Sequence, residues 1–266
     1  MTALLEADGI VKEFGLRRSR LEMLRGTLPG HRAVDDVSFT LGRGEILGVA
    51  GGSGSGKTTL ARCLIRLVEP DEGSIRLDGE DVRAARGSRL RELRRRMQMV
   101  FQDPYASLNP RITVGSALHE AGRVHRRPGS EDREAFVGEL LERVHLPASI
   151  AVRRPRELSG GQRQRVAVAR ALAVGPEILI ADEAVSALDV SIQTQLLNLF
   201  LDLRDDLGVA IVFIAHQLAV IAEVADRVAI MHQGRIVETG PTASVFHSPQ
   251  DPYTVALLGA HPGTHP

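Results

Sequence analysis

The sequence is poor in aromatic and sulfur-containing residues. Its 266 residues include no tryptophan, two tyrosines and a single cysteine, and aromatic residues make up 3% of the chain. One cysteine allows no intrachain disulfide, which suits a reducing compartment such as the cytoplasm. The scarcity of aromatic rings argues against a surface that stacks the bases of single-stranded nucleic acid.

The sequence also lacks a net charge and long apolar runs. Its 33 basic and 33 acidic residues cancel, so no overall field draws the chain toward nucleic acid or anionic lipid. No apolar run approaches the ~18 residues of a membrane-spanning helix, and residues Met1 to Asp8 lack the features of a signal peptide. In the stretch Ser88 to Arg96, arginines are interspersed with leucines. We interpret these arginines as the solvated face of a helix. We therefore expect neither a nucleic-acid partner nor a bilayer-spanning segment.

Lysine is scarce too, and its placement is informative. Lys12 and Lys57 are the only lysines, because the chain otherwise uses arginine for positive charge. Lys57 belongs to a stretch that matches the phosphate-binding pattern G-x-x-x-x-G-K-[ST]. A compact ammonium fits a small phosphate cradle better than the planar fork of arginine does. The stretch consists of Gly51, Gly52, Ser53, Gly54, Ser55, Gly56, Lys57, Thr58 and Thr59.

The flanks of this stretch have the pattern that a phosphate loop requires. Ile46 to Ala50 reads as a short buried strand, and Thr58 to Leu67 reads as a helix. Three leucines fall on one side of that helix: Leu60, Leu64 and Leu67. The backbone N–H groups of the glycine-rich turn and the N-terminus of the helix attract phosphate. The sequence therefore predicts a nucleoside triphosphate site in which Lys57 reaches the outer phosphates and Thr58 ligates Mg²⁺.

A second stretch, Ser159 to Gln162, begins a predicted helix that runs through Arg170. The Ser159 hydroxyl, the free amides of Gly160 and Gly161 and the helix dipole would together favour an anion. Taken alone, the stretch is also an ordinary helix cap.

Polar side chains also follow two apolar strands of the predicted sheet. Asp182 and Glu183 come at the end of the strand that begins at Ile178. Carboxylates at the exit of a buried strand are costly unless they serve a metal or a proton. We predict that Asp182 holds Mg²⁺, directly or through water, and that Glu183 accepts a proton from water. His216 follows the strand Val209 to Ala215, and a phosphate-sensing role is favoured over a structural one because ligands bind at the carboxyl ends of parallel strands.

The order of these motifs resembles an ABC-type ATPase subunit over nearly the whole chain, and Leu158-Ser159-Gly160-Gly161-Gln162 is the most specific of them. The resemblance implies that Gln102 is the Q-loop glutamine, which contacts Mg²⁺ or the attacking water. It further implies that Ser159 to Gln162 form the signature, that Asp189 is the D-loop aspartate and that His216 is the switch histidine. Phe14 corresponds to the adenine-stacking aromatic, with a core aromatic as the alternative.

The resemblance also implies an α/β fold. The expected architecture is a P-loop ATPase core, with a mainly parallel sheet flanked by helices, an antiparallel β portion and a helical insert. In a single domain over residues 1–266, the core spans about 1–102 and 160–240, the helical insert about 103–159 and a C-terminal tail about 241–266. The arginine-rich insertion between Gly15 and His31 is most simply a solvated loop, with a role in contacting a membrane or a partner as the weaker alternative.

Two further stretches narrow the resemblance. The first is Val100 to Pro110, and the second runs from Gly240 to Phe246 and continues from Pro249 to Leu258. Both are similar to the oligopeptide, dipeptide and nickel importer ATPases. This implies an enzyme that hydrolyses ATP with Mg²⁺ at the cytoplasmic face of the membrane. It also implies docking to membrane permease subunits, pairing with a second copy or a paralogue, and an extracytoplasmic solute-binding protein that supplies the solute. Gln102 and the segment to Pro110 would couple the site to the permease.

Several alternatives stay open at this stage. Peptides are the favoured solutes, and nickel or a metal chelate is the alternative. A non-transport ABC ATPase acting on DNA or ribosomes is disfavoured, because the chain has no room for coiled coils, zinc modules or a second cassette. Four residues depart from the family pattern, and none removes a ligand or the base. They are Gly52, Ala184, Val185 and Gln217.

Overall fold

The computed structural model describes residues 3–15, 30–103, 108–125, 127, 129–186 and 188–260. Most of the predicted insertion between Gly15 and His31 lies outside the described residues. So do residues 104–107 of the predicted coupling segment and Ala187, which precedes the predicted D-loop aspartate. In the part of the chain that is described, no helix is both long and apolar enough to cross a membrane.

The described residues contain ten strands, numbered in chain order. They are β1 (Leu5–Phe14), β2 (His31–Leu41), β3 (Ile46–Ala50), β4 (Glu72–Leu77), β5 (Glu80–Asp81), β6 (Met97–Val100), β7 (Ile178–Asp182), β8 (Ala210–Ile214), β9 (Arg227–His232) and β10 (Arg235–Pro241). Six of them form the central sheet in the order β10-β9-β3-β8-β7-β6. Only β10 runs antiparallel to its neighbour in that sheet, so the carboxyl ends of β3, β6, β7 and β8 meet at one edge.

The antiparallel portion is a separate four-stranded sheet in the order β2-β1-β4-β5. β1 is longer than the short strand that the pattern from Ala3 to Ala7 predicts, because it continues to Phe14. Gly9 has φ 59° and the pairing register shifts between Ala7 and Ile10. Such a bulge breaks the alternation of buried and exposed residues without ending the strand. The alternating pattern in the sequence therefore stops earlier than the strand.

Helices pack against both faces of the central sheet. In chain order they are α1 (Lys57–Leu64), α2 (Gly87–Arg96), α3 (Val114–Val124), α4 (Arg133–Arg143), α5 (Gly160–Leu172), α6 (Val190–Leu207), α7 (Leu218–Val224), α8 (Thr242–His247) and α9 (Pro252–Gly259). Two short 3₁₀ segments, Ala148–Val152 and Pro155–Glu157, lie between α4 and α5.

The predicted extent of α1 is wrong at its end. The helix stops at Leu64, and Leu67 is 53% exposed rather than part of the buried side. Arg66 takes φ 53°, which ends the helical path, and its guanidinium donates to the carbonyls of Val82 and Ala85 at 2.8 and 2.7 Å. The backbone amides of Arg66 and Leu67 close the helix end by donating to the carbonyls of Cys63 and Arg62, each at 2.9 Å.

The solvated face predicted for α2 is also wrong in its last turn. Arg94 donates to the carbonyls of Ile65 and Arg66, and Arg96 pairs with Glu177. The helix is therefore tied to the end of α1 and to the segment before β7.

Alternating side chains of the central strands pack into two hydrophobic cores, one on each face of the sheet. Ile178 and Ile180 of β7 face a core shared with α1 and the antiparallel sheet. Leu179 and Ala181 face the other core, which includes α3 to α7. The helices between β6 and β7, which are α3, α4 and α5, therefore pack in one core with the face of the sheet that carries Leu179 and Ala181.

Candidate active site

The phosphate loop leaves β3 and enters α1 with a backbone that requires glycine at two motif positions. Gly51 has φ 152°, and a Cβ there would lie 2.1 Å from the Met231 carbonyl oxygen. Gly56 has φ 102°, and a Cβ there would lie 2.0 Å from the Ala33 carbonyl oxygen. The loop is thus packed between β9 and β2 so closely that side chains at these positions have no room.

Lys57 is buried inside this loop, with 5% of its surface exposed. Its ammonium donates to the carbonyls of Gly51 and Gly52 at 2.8 and 3.0 Å. Burial lowers the pKa of Lys57, while the nearby carboxylates of Glu183 and Asp182 oppose that shift. The one cation of the loop therefore lies in the field of the two acids that follow β7.

Thr58 and Asp182 meet directly across 124 positions of sequence. The Thr58 hydroxyl donates to Asp182 Oδ1 at 3.0 Å. Asp182 is 4% exposed, and burial raises its pKa; the Thr58 hydrogen bond opposes the shift and the charge of Glu183 adds to it. A hydroxyl and a carboxylate at this distance form a pair of hard oxygen donors at the start of α1.

Glu183 is the centre of a second polar cluster. Its backbone has φ 49°, an uncommon value for a residue with a side chain. Gln102 donates its side-chain amide to Glu183 Oε2 at 2.9 Å, and His216 Nδ1 lies 3.9 Å from the same oxygen. Residues that follow β6, β7 and β8 are thus brought together at the carboxyl edge of the sheet.

The stretch Ser159 to Gln162 forms the N-terminal cap of α5. The Ser159 hydroxyl accepts a hydrogen bond from the Gln162 amide at 3.2 Å, and the Gln162 side chain accepts one from the Ser159 amide at 3.1 Å. A Cβ on Gly161 would lie 2.5 Å from Ile192 of α6, which begins directly after Asp189. The predicted signature at the start of α5 therefore lies beside the start of α6, which the predicted D-loop aspartate Asp189 precedes.

Phe14 is the last residue of β1, which pairs with β2. Its ring is 45% exposed, and the ammonium of Lys12 lies 5.6 Å from the ring centroid. Phe14 pairs with His31 of β2, two residues before Ala33, whose carbonyl oxygen abuts Gly56. A side chain with this exposure is not part of the hydrophobic core, and the adenine-stacking role of Phe14 stays a prediction.

Two residues that contact the loop were not predicted from the sequence. The Gly234 amide donates to the Ser55 carbonyl at 3.0 Å, and the Gly52 amide donates to the Tyr253 hydroxyl at 2.9 Å. In the sequence, Tyr253 belongs only to the stretch after Gly240 that is similar to the importer ATPases. The only sequence feature that could have drawn attention to Tyr253 is the rarity of tyrosine, since the chain has two.

A glycine-rich loop between a parallel strand and a helix, with carboxylates at the end of a neighbouring strand, defines a P-loop ATPase core. A family model described as ABC transporter matches residues 34–186. The chain belongs to this family, binds ATP and is an ATPase. The predicted fold class and the predicted family are confirmed.

Several relatives match almost the whole chain. A probable peptide ABC transporter ATP-binding protein, y4tS of Sinorhizobium fredii, is 47% identical over 99% of this chain and 74% of its own length. The putative peptide import ATP-binding protein BAB2_1053 of Brucella abortus is 49% identical over 97% of this chain and 77% of its own length. The glutathione import ATP-binding protein GsiA of Escherichia coli is 49% identical over 99% of this chain, which spans 42% of that protein.

Solved structures have the same fold. The ATP-binding cassette MJ0796, a dimer in a post-hydrolysis state bound to ADP and Pi, matches with a TM-score of 0.77 and 26% identity over 90% of this chain and 98% of that one. The protein cbiO1 of Clostridium perfringens, part of the ABC transporter complex cbiONQ, matches with a TM-score of 0.79 over 93% of this chain and 92% of that one. At 24% identity, cbiO1 bears on the fold alone.

Proposed function

We propose that this chain is the ATP-hydrolysing subunit that energises an importer of di- or oligopeptides. The hydrogen bond between Thr58 and Asp182 supports the ATPase half, because it joins the phosphate loop to the acidic strand end. The import half is supported by relatives named for peptide and glutathione import at 47–49% identity. Glutathione is itself a short peptide, so these names favour peptides over nickel.

Binding of ATP is assigned to the phosphate loop and its surroundings. The loop amides and the N-terminus of α1 donate to phosphate oxygens. Lys57 carries the positive charge toward the outer phosphates from its buried position behind the loop. The exposed ring of Phe14 stacks on adenine, beside the segment of β2 that abuts Gly56.

The residues around Thr58 and Asp182 fit a magnesium ion. Mg²⁺ prefers hard oxygen ligands and is commonly held by one or two carboxylates together with substrate phosphates. That arrangement needs no cluster of three or more His, Cys, Asp or Glu residues, and the described parts of the chain contain none. Thr58, Asp182 and Gln102 would hold the ion, which when bound supplies positive charge to the phosphate oxygens.

Hydrolysis is assigned to the cluster around Glu183. Glu183 accepts a proton from water as the water oxygen bonds to the γ-phosphorus and the bond from phosphorus to the bridging oxygen breaks. Gln102 holds the carboxylate through its 2.9 Å hydrogen bond. His216, whose Nδ1 lies 3.9 Å from the same carboxylate, contacts the γ-phosphate in this proposal.

A second ATPase subunit, either a copy of this chain or a paralogue, completes the site. The amides and hydroxyl at Ser159 to Gln162, with Asp189 beside them, close over the ATP held by the phosphate loop of the other subunit. The dimeric cassette MJ0796 supports this arrangement. Gln102 and the helices that follow it dock to membrane permeases at the cytoplasmic face, and an extracytoplasmic binding protein delivers the solute.

The test is uptake by proteoliposomes that contain this chain, its permease subunits and its solute-binding protein. We expect ATP-dependent uptake of labelled di- or oligopeptide and no uptake of labelled nickel. Lys57→Ala and Lys57→Arg should both abolish ATP binding and uptake, because arginine keeps the charge but does not fit the loop. Arg76→Ala, which removes an exposed cation on β4, should leave both unchanged.

Other results would contradict the proposal in distinct ways. Nickel uptake without peptide uptake would select the nickel alternative. ATP hydrolysis that DNA or ribosomes stimulate, with no solute uptake, would select a non-transport ATPase. Undiminished ATP binding by Lys57→Ala would contradict the assignment of the phosphate loop itself.

A further inference from the structure

One peptide unit of the phosphate loop is held from both sides. The Gly51 carbonyl accepts a hydrogen bond from the Lys57 ammonium at 2.8 Å. The Gly52 N–H, which belongs to the same peptide unit, donates to the Tyr253 hydroxyl at 2.9 Å. Because the peptide unit is planar, its carbonyl and its N–H cannot turn independently. The hydroxyl of Tyr253 therefore helps to set the direction of the carbonyl that holds Lys57.

This peptide unit joins two glycines and needs an external anchor. Glycine leaves its backbone dihedral angles free over a wider range than any other residue does. The fit on the Gly52 side is close, because a Cβ there would lie 3.1 Å from the Tyr253 hydroxyl oxygen. A glycine at position 52 thus gives the hydroxyl room to approach the amide.

Tyr253 is in turn fixed by the hairpin of β9 and β10. Asp251 caps α9 by accepting a hydrogen bond from the Tyr253 amide at 2.8 Å. The Glu238 carboxylate on β10 accepts from the amides of Gln250 and Asp251 at 2.9 and 3.1 Å. These contacts hold the start of α9 against the hairpin.

The tyrosine ring has a second support on the same hairpin. It stacks on His232 with the ring centroids 3.8 Å apart and an angle of 26° between the planes. His232 is the last residue of β9, directly after Met231, whose carbonyl abuts Gly51. The end of β9 therefore does two things: Met231 packs against the phosphate loop, and His232 supports the ring whose hydroxyl contacts that loop.

We propose that Tyr253 is a positioning residue for ATP binding, whose hydroxyl fixes the Gly51–Gly52 peptide and through it the Lys57 ammonium. The inference rests on the proposed ATPase function and adds a residue that acts through the loop rather than on the substrate. Lys57 contacts phosphate oxygens before and during hydrolysis, so a loosened Lys57 weakens ground state and transition state alike. Such a change raises KM and leaves kcat nearly constant.

Tyr253→Phe is the test, because it removes the hydroxyl and keeps the ring that stacks on His232. We expect the ATP dissociation constant and KM to rise about 2- to 10-fold, the range of one ordinary hydrogen bond. We expect kcat to stay within about twofold of wild type. Val255→Ala, at an exposed position of the same helix, is the matched control and should change neither value.

A double-mutant cycle separates this role from a general effect on folding. Gly52→Ala should weaken ATP binding in the wild-type background, because the new methyl group presses on the Tyr253 hydroxyl. In the Tyr253→Phe background the hydroxyl is gone, so Gly52→Ala should add little. The two changes should therefore be non-additive in ATP affinity.

Three results would overturn the inference. They are unchanged ATP affinity in Tyr253→Phe while wild type binds ATP, additive effects in the cycle, and a loss confined to kcat. A wild-type chain that does not bind ATP would instead refute the proposed function on which the inference rests.

Discussion

Gln102 donates its side-chain amide to the Glu183 carboxylate at 2.9 Å, although 81 positions separate the two residues. Gln102 follows β6 and Glu183 follows β7, and these strands are parallel neighbours. The pairing joins the residue that begins the proposed permease-coupling segment to the residue proposed as the base. A shift of that segment therefore reaches the carboxylate through a single hydrogen bond.

Gln102→Ala should depress solute uptake more than basal ATP hydrolysis. Loss of one hydrogen bond to a carboxylate should lower hydrolysis about 10-fold, near the low end for bonds to charged groups. Uptake should fall further, because the coupling segment loses its contact with the site. The measurement compares hydrolysis by the isolated chain with uptake in proteoliposomes, and Asn198→Ala, which removes an exposed amide on α6, serves as control. Equal losses in the two assays would make Gln102 purely catalytic.

Asp182→Asn should weaken Mg²⁺ dependence and also stabilise the folded chain. Burial raises the pKa of Asp182 above its ordinary value of 3.8. When pH rises above that value, Asp182 ionises more readily in the unfolded chain than in the folded chain. Its carboxylate therefore lowers the free energy of unfolding. An uncharged asparagine removes this cost, and its oxygen can still accept from Thr58. We expect a melting temperature higher by about a few degrees near pH 7.

The pH dependence of that gain is the check. The difference in melting temperature should shrink as pH falls and vanish below the ordinary pKa, where Asp182 is neutral in both states. Asp206→Asn, at an exposed position of α6, should show no such trend. A variant that is less stable than wild type at neutral pH would mean that the carboxylate stabilises the fold.

The parts of the site that rest on local patterns were predictable from sequence. The phosphate loop has a fixed spacing between a short apolar strand and a helix, and the structure has that strand, loop and helix in place. The cap at Ser159 follows from a serine with a glutamine three residues later, and the capping box forms as that spacing indicates.

The parts that rest on distant contacts were not predictable. Arg66, two residues beyond the end of α1, donates to the carbonyls of Val82 and Ala85, a contact that no helical periodicity records. The contact between Gly52 and Tyr253 spans 201 positions. Such contacts depend on how the hairpin and α9 pack against the loop, so they emerge only when the whole chain is folded.

Ser159→Arg should block ATP-dependent pairing of subunits without blocking ATP binding. In the Glu183→Gln background, which retains ATP, the chain should dimerise when Mg-ATP is added. The added Ser159→Arg change places a bulky cation at the start of α5, where the ATP of the other subunit would approach. Sedimentation velocity should then find monomers that still bind ATP. Equal dimerisation of the double variant would reduce Ser159 to a helix cap.

Hydrolysis of bound ATP by Glu183→Gln in a single turnover tests the assignment of the base. The glutamine keeps the size of the side chain and its contact with Gln102 but cannot take a proton. The rate should fall about 10²- to 10⁴-fold, the usual contribution of a positioned base, while the ATP dissociation constant stays within about threefold of wild type. A rate within a few-fold of wild type at saturating Mg-ATP would show that Glu183 is not the base.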